Sequence, residues 1–302
     1  MTTSTTTTTT STEEPLSAGR GAGRPPPCPL PRFPAPPRPR AVLLGASNLI
    51  HGLPSALAAA RRALGGGPIE ALAATGHGRS YGAWSRAGFR GLPGILDSGL
   101  WRALDRGPAG GIRTLALLTD VGNDIGYGQA PETVAAWVEE CVARLAAAGA
   151  RTVMSRLPLA TLRRLPPWRF RVVATLLFPG RRLEFDEILR RAEELDRRLL
   201  ELADRGGCRL AALEPEWYRA YDGIHLRFRW LSTAWARAFD GCEEDEPDDP
   251  AAEAPAAPAT LPPADRLRVL RAMPERFTLA GVPFGRAQPA ARLSDGSTLS
   301  LF

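Results

Sequence analysis

The feature that most restricts the fold is a regular alternation of short apolar runs with amphipathic helical patterns. The five apolar runs lie at 41–44, 69–73, 114–119, 151–156 and 208–213. Patterns with helical periodicity follow at 49–64, 131–148, 184–204 and 228–239, and a weaker one covers 90–105. Short buried strands alternating with helices are typical of βαβ units, in which helices cover both faces of a parallel sheet. The sequence therefore predicts a three-layer α/β/α fold with five parallel strands.

Composition divides the 302 residues into four segments. Residues 1–40 are rich in Thr, Pro, Arg and Gly, and such a composition cannot bury enough apolar surface to fold, so we expect a disordered tail. The predicted folded domain covers 41–242. An acidic linker rich in Ala and Pro follows at 243–263, and a short C-terminal extension at 264–302 carries an Asp295-Gly296 hairpin signal.

Composition also argues against several functional classes. The net charge is +6, but every basic residue is Arg and these residues are spread along the chain, so we expect no nucleic-acid partner. The four Cys residues show no CxxC spacing, so neither a metal site nor a disulfide framework is indicated, and no cofactor is expected. The absence of a signal-peptide pattern and of a membrane-length apolar run predicts a cytoplasmic protein.

Ser47 occupies a turn of functional interest in AVLLGASNLI, between the first strand and the first helix. In open α/β sheets, ligands bind at this carboxyl edge of the strands. Two interpretations of Ser47 fit the position: a helix N-cap, which is common for Ser, and a nucleophile.

Asp222 and His225 in DGIH supply the partners that a nucleophilic serine needs. A carboxylate three residues before an imidazole can bond one ring nitrogen, which leaves the other free to accept a proton. A surface turn with an incidental ion pair is the alternative. If Ser47 lies within reach of His225, the three residues form a catalytic triad.

Donors for a developing oxyanion also follow the ends of predicted strands. They are the backbone N–H of Ser47, the backbone N–H of Gly78 in GHGRS, and the side-chain amide of Asn123 in GND. Each has a simpler explanation as a turn residue. The chain contains only two Asn residues, and both Asn48 and Asn123 follow apolar strands, so their placement is informative.

In this order, GASN, GHGRS, GND and DGIH resemble the four sequence blocks of the SGNH, or GDSL-type, hydrolase superfamily. The resemblance spans roughly 41–241. It implies a flavodoxin-like sheet with strand order 2-1-3-4-5. It also implies Ser47 as nucleophile, His225 as base oriented by Asp222, and Ser47, Gly78 and Asn123 as the oxyanion hole.

One position departs from the family pattern, and at a second position two residues could fill the same role. The family usually has Asp before the nucleophile, whereas this chain has Ala46. Gly76 is an alternative to Gly78 as oxyanion donor, and the following Arg79-Ser80 favours Gly78. His51 and His77 are interpreted as peripheral residues, because His225 already supplies a base.

The sequence thus predicts a serine hydrolase that cleaves a carboxylester or O-acyl group on a small-molecule, glycan or lipid substrate. An acyltransferase or thioesterase would use the same triad, and a non-catalytic binding protein on the same fold is the alternative from another class. The segment between 156 and 184 is either a cover over the substrate edge or an ordinary connection. Oligomeric state is not indicated.

Overall fold

The computed structural model describes residues 1–2, 37–106, 111–178, 180–181, 184–242 and 260–302. The folded elements all belong to the unit Pro37–Phe302. The predicted N-terminal tail, except for 1–2 and 37–40, and residues 243–259 of the predicted acidic linker lie outside the described residues.

The described strands and helices alternate much as the sequence predicts. The strands are β1 (Arg40–Leu44), β2 (Glu70–Ala74), β3 (Ser85–Ala87), β4 (Arg90–Leu92), β5 (Thr114–Leu118), β6 (Ala150–Ser155), β7 (Arg209–Ala211), β8 (Arg276–Leu279), β9 (Val282–Gly285), β10 (Ala291–Arg292) and β11 (Thr298–Leu301). The helices are α1 (Ser47–Ala63), α2 (Leu100–Asp105), α3 (Asn123–Gly126), α4 (Pro131–Ala147), α5 (Leu159–Arg163), α6 (Pro167–Leu177), α7 (Phe185–Asp204), α8 (Leu231–Phe239) and α9 (Pro263–Arg271).

The centre of the main sheet has the predicted strand order. Five parallel strands are arranged β2-β1-β5-β6-β7, which is the order 2-1-3-4-5 when the five are numbered along the chain. Alternate residues of β1 enter opposite cores: Ala41 and Leu43 face one, while Val42 and Leu44 face the other. The first core packs α1 and α8, and the second packs α4 and α7. The predicted three-layer fold is confirmed.

Within the described residues, the sheet is wider than predicted and has seven strands instead of five. The predicted C-terminal extension supplies the two additional strands: β11 pairs in parallel with β2, and β10 pairs antiparallel with β11 around the Asp295-Gly296 turn. This turn confirms the hairpin signal. The added strands satisfy backbone groups of β2 that an edge strand would leave unpaired.

The prediction of a helix across 90–105 is wrong in its first half. Arg90–Leu92 forms β4 of a second sheet ordered β3-β4-β8-β9, and only Leu100–Asp105 is helical. Gly91, Pro93 and Gly94 explain the difference, because Gly and Pro disfavour helix interiors. A Cβ on Gly91 would also overlap the Thr278 hydroxyl of β8, so close strand approach requires glycine there.

The segment between β6 and α7 contains two short helices, α5 and α6. Within the described residues, no helix combines the length and the apolar character that a membrane crossing requires.

Gly52 in α1 provides a test of the packing between α1 and α8. A Cβ at this position would overlap the indole nitrogen of Trp235, which is fully buried. Although Ala favours a helix over Gly by about 1 kcal/mol, overpacking costs about 1–3 kcal/mol. We expect Gly52→Ala to lower the free energy of unfolding, measured by urea denaturation.

Gly67 is the matched control, because it lies outside helix and strand and a Cβ there would meet nothing within 4 Å. Gly67→Ala should leave the unfolding midpoint unchanged or raise it slightly. Equal midpoints for both variants would show that the contact between Gly52 and Trp235 does not limit packing.

Candidate active site

Ser47 is the first residue of α1, directly after the turn that leaves β1. The N-cap position is Ala46, which has no side chain able to cap the helix. The interpretation of Ser47 as the N-cap is therefore wrong. The turn lies tightly against the end of β5, since a Cβ on Gly45 would come within 2.6 Å of Thr119 Cγ2.

Asp120, which follows β5, caps the helix in place of a local side chain. Its Oδ2 accepts the backbone N–H groups of Ala46 (2.8 Å), Asn48 (3.1 Å) and Leu49 (3.3 Å). A carboxylate at a helix N-terminus satisfies orphan donors and interacts favourably with the helix dipole. The Ser47 hydroxyl is consequently left free for another partner. No local sequence pattern predicts this capping role of Asp120.

Asn48 connects the start of α1 to the segment that carries the predicted base. Its Nδ2 donates to Asp120 Oδ1 (2.7 Å) and to the carbonyl of Ile224 (3.0 Å), while its Oδ1 accepts the N–H of Leu226 (2.7 Å). These bonds hold the backbone on both sides of His225. Asn48 is thus a positioning residue that sequence reasoning missed, and its rarity and strand-end location were the available signal.

The structure brings together Ser47, His225 and Asp222. Ser47 Oγ lies 2.8 Å from His225 Nε2, and His225 Nδ1 lies 3.1 Å from Asp222 Oδ2. Asp222 Oδ1 accepts the backbone N–H groups of Ile224 (3.0 Å) and His225 (2.9 Å). Gly223 has φ +70° in the turn between them, a conformation that glycine adopts without strain.

Burial and hydrogen bonding act in opposite directions on Asp222. Burial by itself would raise the pKa of this carboxyl, but the bonds from the side chain and backbone of His225 and from the Ile224 N–H hold the pKa below its usual value. Asp222 therefore stays ionised beside the imidazole at neutral pH. A buried carboxylate in this position orients the ring and stabilises its protonated form.

Asn123 begins α3 and lines the same cavity as Ser47 and His225. Its Nδ2 donates to the carbonyl of Arg79 at 3.2 Å, which links it to the loop that follows β2. Gly78 lies in that loop with φ +61°, and its carbonyl accepts the Tyr127 hydroxyl at 2.7 Å. Hydrogen bonds therefore connect the loop that contains Gly78 to the segment that contains Asn123 and Tyr127.

Gly76 and Gly78 differ in what surrounds them. A Cβ on Gly76 would overlap Leu92 Cδ1, so this glycine serves close packing against β4. Gly78 adopts the left-handed backbone conformation and adjoins His77, whose ring belongs to the cluster near His225.

Arg79 anchors the same loop from inside the protein. It is fully buried, and its guanidinium donates to the carbonyl oxygens of Pro93 (3.2 Å) and Phe302. Burial lowers the pKa of Arg79 to about 9, which still leaves it protonated at neutral pH. In the sequence, Arg79 is recognisable only as part of the GHGRS pattern.

His51 and His77 form a cluster of rings with His225. The centroids of His51 and His77 are 4.9 Å apart, and those of His51 and His225 are 6.2 Å apart. Burial, followed by the charges of His77, His225 and Arg219, lowers the pKa of His51 to about 4. His51 is therefore neutral at pH 7 and places no charge beside the base.

Asp124 braces the loop after β2 from within the core. Its Oδ2 accepts the Tyr81 N–H at 2.9 Å, and its Oδ1 is buried without a partner. Across the described chain, no group of three His, Cys, Asp or Glu side chains is arranged to hold a metal ion. The bond to the Tyr81 N–H shows that Asp124 holds the loop after β2.

A cavity of about 130 Å³ begins at Ser47 and His225. It extends between the loops after β5 and β6 and the inner side of α6. The segment between β6 and α7, for which the sequence left two interpretations open, therefore covers part of this cavity.

Asp124 makes the free energy of unfolding of the protein depend on pH. Burial raises its pKa from 3.8 to about 6, while bonds from Ser80 and Tyr81 oppose the shift. The folded protein then binds more protons than the unfolded chain between about pH 4 and 6, so this residue makes stability fall as pH rises through that range.

We expect Asp124→Asn to remove this contribution. The free energy of unfolding of the variant minus that of the wild type should increase by about 1–3 kcal/mol between pH 4 and pH 7, measured by urea denaturation. A difference that is constant with pH would contradict the raised pKa.

The chain matches no family model and no curated protein. Solved structures to which it is similar include a carbohydrate acetylesterase family member from Sinorhizobium meliloti, with 16% identity, a TM-score of 0.44, and coverage of 66% of this chain and 94% of that chain. A GDSL-like lipase from Bacteroides thetaiotaomicron has 10% identity, a TM-score of 0.40, and coverage of 66% and 84%. A member of the lipolytic protein G-D-S-L family from Veillonella parvula has 9% identity, a TM-score of 0.39, and coverage of 65% and 93%.

Proposed function

We propose that this protein is an SGNH-type serine hydrolase that cleaves esters through an acyl-enzyme on Ser47. The observation that carries the proposal is the continuous chain from Ser47 Oγ to His225 Nε2 (2.8 Å) and from His225 Nδ1 to the buried Asp222 (3.1 Å). A nucleophile bonded to a base that is itself oriented by a carboxylate is the arrangement that activates a serine hydroxyl.

In the first half of the reaction, Ser47 Oγ attacks the ester carbonyl while His225 Nε2 takes the hydroxyl proton. Asp222 keeps the proton on Nδ1 and stabilises the imidazolium. The tetrahedral intermediate then collapses, the bond to the alcohol oxygen breaks, and His225 returns the proton to the leaving alcohol.

In the second half, water replaces the alcohol. His225 removes a proton from the water as it attacks the acyl carbonyl, and collapse of this intermediate releases the carboxylic acid and restores the Ser47 hydroxyl. An acceptor alcohol in place of water would make the reaction an acyl transfer. Product analysis with and without added alcohols distinguishes these two outcomes.

The oxyanion of both intermediates is held by the N–H groups of Ser47 and Gly78 and by the Asn123 amide. Three features support this assignment: the location of Ser47 at a helix N-terminus, the left-handed turn at Gly78, and the presence of Asn123 in the same cavity as the nucleophile. Donors fixed by the fold stabilise charge that develops in the transition state.

Ser47 is tested by substitution and by covalent labelling. The wild type should hydrolyse p-nitrophenyl esters and react with a fluorophosphonate, whereas Ser47→Ala should lose about 10⁴-fold or more in kcat and all labelling. Ser55→Ala is the matched control in the same helix, and it should keep both. Labelling of the Ser47→Ala protein would show that the reactive nucleophile is another residue, and absence of labelling in the wild type would support the alternative of a binding protein.

Asn123 is tested separately, because it contributes to the transition state and not to the nucleophile. Asn123→Ala should lower kcat by about 10²–10³-fold with little change in KM, since the amide bonds the oxyanion more strongly than the ground-state carbonyl. Asn123→Asp, which has nearly the same shape but lacks the donor, should be at least as impaired. Activity within a few-fold of the wild type in both variants would remove Asn123 from the oxyanion hole.

A further inference from the structure

We infer that the cavity beside Ser47 is an acyl-chain pocket that selects hydrophobic acyl groups of medium length over acetyl groups. This inference rests on the proposed function, because it assigns the acyl half of the ester to this cavity. The cavity is continuous with Ser47 and His225, so an acyl carbonyl at the nucleophile directs its chain inward.

The walls of the pocket that α6 and α7 supply are apolar. Four residues of α6 and two of α7 form this part: Phe170, Val173, Ala174, Leu177, Ile188 and Ala192. Apolar walls make the transfer of methylene groups from water favourable, and the gain increases with the area that is buried.

The charged side chains that line the cavity are already paired inside the protein. Asp120 accepts the backbone N–H groups at the start of α1, and Asp222 is bonded to His225. Arg156 is paired with Asp196 of α7 at 2.5 Å. A hydroxylated acyl group would lose its water against the apolar walls of α6 and α7, which is costly.

The size of the cavity agrees with a chain longer than acetyl. The cavity has a volume of about 130 Å³, several times the ~10–15 Å³ that a single water molecule needs. An acetyl group would leave most of the apolar surface in contact with water. A medium-length acyl chain would cover that apolar surface. Burial of the chain would stabilise the transition state for hydrolysis of its ester.

The first test is a chain-length series of p-nitrophenyl acetate, butyrate and octanoate with the wild-type protein. We expect kcat/KM to rise by about fourfold for each methylene that enters the apolar part, which corresponds to about 0.8 kcal/mol. Octanoate ion should also inhibit competitively, and acetate ion should not. A preference for the acetyl ester would overturn the pocket assignment while leaving the proposed hydrolase intact.

The second test narrows the pocket from two different walls. Ala174→Trp on α6 and Ala192→Phe on α7 place bulk inside the cavity, and each should lower the octanoyl-to-acetyl ratio of kcat/KM by at least ~10-fold. Leu176→Trp is the matched control, because Leu176 lies on the same helix but is 76% exposed. The octanoyl-to-acetyl ratio of kcat/KM for Leu176→Trp should equal that of the wild type.

The outcomes separate the two proposals. Ratios that stay unchanged in both cavity variants, with thermal melting showing that each variant is folded, would show that the acyl chain binds elsewhere. Failure of the wild type to hydrolyse any ester, together with absence of fluorophosphonate labelling, would overturn the proposed function and the pocket with it.

Discussion

The site depends on one carboxylate, that of Asp120, which caps α1 from the neighbouring strand. It accepts the N–H groups of Ala46, Asn48 and Leu49 and the Asn48 amide. Burial would favour the neutral acid, and it raises the pKa of Asp120 despite these bonds. The residue also has φ +60°, which costs about 1–3 kcal/mol in a residue other than glycine. The four hydrogen bonds that the carboxylate accepts offset part of these costs.

The same capping network sets the position of the base across a sequence separation of 178 residues. Asn48 is bonded to the backbone at Ile224 and Leu226, so the residue between them, His225, is held on both sides. A shift of α1 therefore moves the nucleophile and the base together. Their distance is controlled by backbone hydrogen bonds and not only by the contact between Ser47 and the ring.

The sequence predicted the residues at strand ends better than the contacts that hold them. Two of the predicted site residues, Ser47 and Asn123, follow apolar strands, and His225 ends the short motif DGIH. In a parallel sheet, the carboxyl ends of the strands lie at the same edge, which brings the residues that follow them together. The capping role of Asp120 depends on the pairing of β1 with β5 and on an unusual backbone angle, which no local pattern encodes. The edge pairing of β11 with β2 and the covering of the cavity by α6 are likewise long-range contacts. Sequence periodicity predicts where strands and helices lie, but it does not predict which distant residues contact each other.

Ala46, the residue before Ser47, is compatible with this arrangement. Ala46 is fully buried, its N–H donates to Asp120 at 2.8 Å, and its carbonyl accepts the Thr75 hydroxyl at 3.0 Å. A carboxylate on residue 46 would lie buried close to that of Asp120, and two like charges in one buried site repel unless one is neutralised. Because Asp120 already supplies the negative charge at the helix N-terminus, a small apolar residue before Ser47 is compatible with an intact triad.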